Sequence, residues 1–237
     1  MKKIAQIAPV LIVSFTVLVP TSAQAWLCEG TLEEKVDCLN EKLRYVLIDV
    51  DAGGKPLIKV MGANVQIVRG GARTGNLIVG SGHTWTKATE SFVAGYANTI
   101  ASMNASVCGG SRNKATGYWS SISGGYGNQA SSYYASVSGG RDNKATNYGA
   151  SISGGLRNTA SGIYTSVSGG RINQATACGD SVSGGLGNIA SGIYASVSGG
   201  IGNKATAQYS SVSGGRRRSI GVRDVQAWRA GALFQKQ

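Results

Sequence analysis

One histidine, eleven acids and only 14% charged residues are all that this 237-residue chain offers to polar chemistry. That scarcity argues against most catalytic designs. His83, in Ser-Gly-His-Thr-Trp, has no cysteine or carboxylate at a telling distance and reads as a turn or cap residue. The abundant serines lack the base and oxyanion hole that a nucleophile needs. No spacing of His, Cys or acids suits a metal site, and no cofactor is implied. Calcium-binding β-rolls carry Gly-Gly-x-Gly-x-Asp, and that Asp is missing from the glycine words here. We therefore expect no enzyme.

Cysteine is also short, four in all, too few for a disulfide framework in a chain of this length. Cys28 and Cys38 are close enough in sequence to pair in an oxidising compartment, within one chain or between chains. Cys108 and Cys178 occupy different repeat positions and would stand roughly 20 Å apart along a stack of strands. They read as small buried or half-buried substitutes for Ser and Tyr. With thirty-six glycines beside so little charge, the chain is neither an ordinary globular domain nor a highly charged disordered one.

Long apolar runs are missing too. The stretch from Ile7 to Val19 is too short to span a bilayer comfortably. Behind Lys2 and Lys3, and ahead of Ala23-Gln24-Ala25, it has the layout of a secretory signal, with an uncleaved anchor as the alternative. A lipid attachment at Cys28 is disfavoured by the bulk of Leu27. The mature chain is expected to begin near Trp26, outside the cytoplasm, at the cell surface, in the medium or in the periplasm. No transmembrane segment is expected after signal removal.

What the chain has in excess is repetition. Ser-[Val/Ile]-[Ser/Cys]-Gly-Gly begins at Ser106, Ser121, Ser136, Ser151, Ser166, Ser181, Ser196 and Ser211, every fifteen residues without a slip. A short fixed period means one unit stacked on itself. Position 2 of the unit is Val107, Ile122, Val137, Ile152, Val167, Val182, Val197 and Val212, flanked by serine almost everywhere: a half-buried strand. The glycine pair at positions 4 and 5 permits a sharp turn. Position 8 is Asn113, Asn128, Asn143, Asn158, Asn173, Asn188 and Asn203. Asparagine tolerates left-handed backbone and satisfies corner groups, so it marks a second turn. Alanine follows at position 10, and a second strand leads to tyrosine at position 13 or 14.

The fold class is thus all-β, a parallel β-roll or β-solenoid of fifteen-residue repeats with a short N-terminal helix. Residues 1–25 form the signal, 26–51 the helix, 52–105 a strand-rich cap with degenerate repeats, 106–215 the roll and 216–237 a basic tail that ends it. Thr31 and Glu34 make a capping-box pattern. Leu32, Val36, Leu39, Leu43 and Val46 then form a heptad seam, either one helix packed on its own rod or an oligomerising collar. Leu57–Val60 and Asn64–Val68 are β-prone, and Asn76–Gly80 and Ser91–Gly95 fall thirty and fifteen residues before Ser106. With one Val, one Ala and part of one Tyr to bury, a single coil stack is thinly filled, which favours packing against sister chains.

These words resemble the head of YadA-like trimeric autotransporter adhesins, whose Ser-Val-Ala-[Ile/Leu]-Gly and Ala-x-Gly words wind a left-handed parallel β-roll. Ser-Val-Ser-Gly-Gly takes the first place here; Asn158 to Gly162 and Asn188 to Gly192 take the second. The resemblance covers about Asn76 to Gly215 and implies a homotrimer with an adhesive surface. Two features depart from it. The repeat is fifteen residues where the family usually has fourteen, and Arg216 to Gln237 lack the alternating strands of a membrane barrel.

Charge is segregated. Glu29, Glu33, Glu34, Asp37, Glu41, Asp49 and Asp51 crowd the amino end, while the roll has only Asp142 and Asp180. Against these stand Arg141 and Arg171 at position 6, Arg112 and Arg157 at position 7, and Lys114, Lys144 and Lys204 at position 9. Stacked, they predict a column of positive charge. It either protects β edges or contacts a polyanion such as acidic glycan or lipopolysaccharide. Nucleic acid is not expected, since no aromatics interleave the basic residues of an exported chain. The expected function is an adhesin-like head or surface-structural module. A passive scaffold without ligand is the alternative, and a water-ordering, ice-binding face ranks below both because position 11 alternates Thr and Ser.

Overall fold

The structure is a computed structural model. It describes Thr31, Glu34, residues 46–50 and 56–60, and residues 75–230. The chain divides into two units, Met1–Gln66 and Ile67–Gln237.

In the first unit the capping contacts are made. The Thr31 N–H donates to the Glu34 carboxylate at 2.7 Å, and the Glu34 N–H to Thr31 Oγ1 at 3.3 Å. The bond from Thr31 holds the Glu34 carboxyl below its ordinary pKa. The rest of the expected helix and the pair Cys28 and Cys38 lie outside the described residues. Val46, placed at the end of the heptad seam, instead opens strand β1 (Val46–Val50), which pairs antiparallel with β2 (Pro56–Val60) in the register Val46↔Val60. A run rich in β-branched residues on either side of the Asp51-Ala52-Gly53-Gly54 turn favours a hairpin over another helical turn. The segment Asn64–Val68 is outside the described residues.

The second unit is a parallel β-solenoid. One sheet stacks the position 1–2 strands from β3 (Asn76–Ser81) and β4 (Ser91–Tyr96) onward to Trp228–Arg229. A second stacks the position 9–10 strands from Thr99–Ile100 to Ser219–Ile220. Single-residue bridges at position 6 form a third line, from Tyr96↔Ser111 to Ile201↔Arg216. The register advances by fifteen, as in Val137↔Ile152 and Ala145↔Ala160.

Four positions line the interior of every coil from Ser106 to Ser210: Val or Ile at 2, Asn at 8, Ala at 10 and, with Asp180 the exception, a small residue at 15; position 12 joins them in some coils, as at Ala207. Each position 2 side chain is at most 1% exposed and contributes about 1.5–3 kcal/mol of burial. The coil spanning residues 136–150 shows how the backbone is used. The N–H groups of Ser136, Ser138, Arg141, Lys144 and Thr146 donate forward, to Ala150, Ile152, Gly155, Asn158 and Ala160. Those of Asp142 and Gly149, at positions 7 and 14, donate back to Tyr126 and Tyr133. Both have positive φ, 56° and 62°, and that left-handed turn is what aims their N–H groups at the preceding coil.

Left-handed backbone therefore falls on positions 5, 7 and 14, not on the asparagine at position 8, and it is borne at position 7 even by Ile172 (φ 57°). The two glycines of each pair differ. Gly140 has φ 84°, and a Cβ there would collide with the Gly155 carbonyl oxygen of the next coil. Gly139 has no atom within 4 Å of the corresponding point.

Two boundaries differ from expectation. At the start, Val93 pairs with Val107, fourteen residues on, while Tyr96 pairs with Ser111 at the full period. The core residue of that coil is therefore Val93, fully buried, rather than Phe92. At the end, Arg216 to Arg229 continue the roll instead of ending it as a tail. Ser219–Ile220 pairs with Lys204–Ala205, and Trp228–Arg229 pairs with Ser211–Val212.

Candidate functional site

The buried asparagines form an unbroken amide ladder. Asn143 Nδ2 donates to the Gly139 carbonyl at 2.9 Å in its own coil and to the Gly155 carbonyl at 3.0 Å in the next. Its Oδ1 accepts the Asn158 N–H at 2.9 Å. The same bonds recur from Asn98 to Asn203. Of the two reasons for expecting a corner asparagine, satisfaction of backbone groups is the operative one.

His83 stands fifteen residues before Asn98 and holds the same station. Its Nδ1 accepts the Asn98 N–H at 3.2 Å, and its Nε2 lies 3.0 Å from the Val79 carbonyl oxygen, the contact an asparagine amide would make. It is the first rung of the ladder, a capping role. Asp180 is the one acid inside the roll, at position 15, where neighbouring coils have Ala, Ser or Thr. Its carboxylate accepts the Ala177 N–H at 2.7 Å and the Ala195 N–H at 2.9 Å. Burial nonetheless outweighs those bonds and raises its pKa above the ordinary value.

Function must therefore reside on the exterior, which has three surfaces. The first is a polar sheet face of serines at positions 1 and 3, half-buried and exposed respectively. Cys108 sits in it exposed, neither buried nor half-buried as expected; Cys178, at position 13, is half-buried, within the expectation.

The second surface is the corner at positions 6 to 9, where the structure gathers the expected cations. Arg141 and Arg171 lie on the line of bridges, Arg112 and Arg157 take the left-handed turn, and Lys114, Lys144 and Lys204 project from the alanine sheet. Tyr126 sits between two guanidinium groups, 5.6 Å from Arg112 and 5.4 Å from Arg141, and Arg112 donates to its hydroxyl at 2.7 Å. Such contacts hold arginines in place while leaving their charge outward. Arg141 also pairs with Asp142 at 3.4 Å. Beside them, Gly127, Asp142, Lys144, Arg157 and Thr159 outline an open depression of about 320 Å³. The column is interrupted in two coils, where Tyr126, Gly127 and Gln129, and then Leu186, Gly187 and Ile189, occupy these positions.

The third surface was not foreseen as a surface. The sequence predicts part of one tyrosine at position 13 or 14 in the core of each coil, but position 15 points inward in its place and turns both residues out. Trp119 is 44% exposed and Tyr164 63%. The rings form a ridge: Tyr118 stacks on Tyr133 at 5.0 Å, Trp119 on Tyr134 at 5.4 Å, and Tyr194 on Tyr209 at 5.6 Å. Tyr148 and Tyr164 meet edge to face at 5.3 Å. The legible signal was the doubling, Tyr118-Trp119 and Tyr133-Tyr134, since a two-residue aromatic step cannot turn both side chains inward.

Charge and ridge are kept apart. From Ser106 to Gly215 every charged residue lies at positions 6 to 9 except the buried Asp180. Among the described residues no three His, Cys, Asp or Glu side chains group as metal ligands, and no helix is long and apolar enough to cross a membrane.

Fold and exterior together define a parallel β-solenoid with a repetitive polar surface. No family model matches the chain, and no curated protein matches it. What is shown is the fifteen-residue parallel roll itself.

Proposed function

We propose that this protein is an exported, non-enzymatic, adhesin-like head or surface-structural module of YadA-like kind. It works as a homotrimer and attaches multivalently to acidic glycans, lipopolysaccharide included. The observation that carries this reading is the partition of the perimeter into one charged corner and a charge-free remainder with an aromatic ridge. Aromatic enrichment with charge depletion is the composition of an interface core. Sister chains packed along their ridges would leave the basic corners outward, where repeated weak contacts sum to avidity.

Light scattering on the purified chain tests the assembly: a trimer mass is expected, and a monomer at micromolar concentration refutes it. Salt-sensitive binding to an acidic glycan tests the attachment. Neutralising Arg141, Lys144 and Arg171 together should weaken it roughly tenfold or more. The uncharged interruption at Leu186 to Ile189 favours the second reading, a passive scaffold. Retention of full glycan binding by the neutralised variant, or absence of binding to any surface, would select that reading.

A further inference from the structure

The last coil differs from the others in its chemistry. Between Arg216 and Arg229 it holds five arginines and one acid, against seven cations spread from Ser106 to Gly215. Arg216, Arg217, Arg223 and Arg229 are exposed. The same coil displays Trp228, Val222 and Val225 at 66%, 72% and 53% exposure. The Trp228 indole is held by its N–H, which donates to Ser213 Oγ at 2.7 Å on the preceding coil. That bond fixes the ring while leaving its apolar edge outward. Arg218, by contrast, is half-buried, with its Nε enclosed and without an acceptor.

Edge protection alone does not account for this combination. Ser219–Ile220 and Trp228–Arg229 are the terminal strands of their sheets, and charge there would discourage further strand pairing. Exposed Trp and Val at the same edge would undo that protection. Arginine with an exposed indole and aliphatic side chains is instead the composition of surfaces that sit at a bilayer's headgroup level. There guanidinium groups bind lipid phosphates while tryptophan lies at the boundary of the acyl region.

We propose that the C-terminal coil is a docking surface for a bilayer rich in anionic phospholipid headgroups, contacted through Arg216, Arg217, Arg223, Arg229 and Trp228. Arg216 and Arg217 stand at positions 6 and 7, so the surface adjoins the end of the basic corner, and Arg223, Arg229 and Trp228 extend it beyond that column. The purified chain should co-sediment with vesicles of phosphatidylglycerol and phosphatidylcholine at low salt and not with phosphatidylcholine alone.

Replacing Arg216, Arg217 and Arg223 together by Gln should weaken that binding roughly a hundredfold, about fivefold per arginine. Trp228→Ser should weaken it several-fold with the circular dichroism spectrum unchanged. Arg141→Gln with Arg171→Gln should leave it intact, which separates the last coil from the corner cations of the earlier coils. Lack of binding to anionic vesicles, or undiminished binding by the triple variant, overturns the proposal. So does binding that ignores Trp228→Ser and is fully competed by dextran sulfate, since that marks a soluble-polyanion site. A mass doubling without vesicles that Trp228→Ser abolishes overturns it in favour of a second copy.

Discussion

The middle coils and the two end coils handle the same station, position 8, in different ways. From Asn98 to Asn203 an amide both donates and accepts, so each coil passes its unsatisfied groups to the next. At the start His83 does both jobs with its two ring nitrogens. At the end the Arg218 backbone N–H donates to Asn203 Oδ1 at 2.8 Å, but its guanidinium has only donors to offer, and the ladder stops. A β-solenoid of this kind is propagated by a group of two-sided hydrogen-bonding capacity. It is closed by a mimic at one end and a one-sided residue at the other.

The strongest way to break the middle is sterics. Gly140→Ala forces a Cβ into the neighbouring coil's backbone at a left-handed position, and we expect a loss of ~4 kcal/mol or more. Gly139→Ala, one residue away, should change stability by less than ~0.5 kcal/mol. Chemical denaturation of the pair checks the contrast, and equal effects would contradict it. Next comes Asn143→Ala, which strands the Gly139 carbonyl and the Asn158 N–H inside the roll, leaves the Gly155 carbonyl with the Arg141 N–H alone, and should cost ~3 kcal/mol.

The ends should respond more weakly, because one cap serves one coil. His83→Ala is expected to cost ~1–2 kcal/mol through the stranded Asn98 N–H and Val79 carbonyl, while His83→Asn should hold wild-type stability. Thermal melts of the two variants decide whether the ring acts as an amide substitute.

Asp180 gives the smallest effect, and one that depends on pH. Its carboxyl pKa is raised on folding, so between the ordinary carboxylate range and the raised value the folded chain binds more protons than the unfolded one. That contribution to stability is fullest at acid pH and falls as pH rises through the window. Measured against Asp180→Ala, the wild type should gain ground on acidification. A gap that does not change with pH would refute the assignment.

Much of this was legible in sequence because periodicity isolates each position. Val, Ala and the glycine pair recur at fixed phase, and their burial or turning follows directly. Other features were hidden for physical reasons. The unequal glycines look alike until the next coil's carbonyl is in place. Tyrosine passes for core because nothing in its own side chain reveals that the small residue at position 15 has taken the inward place. His83 and Arg218 are unrecognisable as members of the asparagine column without the stack. The last coil escaped because Ser211 pairs with Trp228, seventeen residues on, which breaks both the period and the pentapeptide word. At the corner the repeat phase of each cation is legible, but not the interleaved Tyr126 that steadies two of them.

Side-chain amide hydrogen exchange, followed by NMR, tests the central claim most directly. If coils are joined through buried asparagines, the Nδ2 protons from Asn98 to Asn203 should be strongly protected, while those of the outward Gln129 and Gln174 exchange freely. Asparagine amides that exchange as fast as the glutamines would contradict the ladder and the stacked roll built on it.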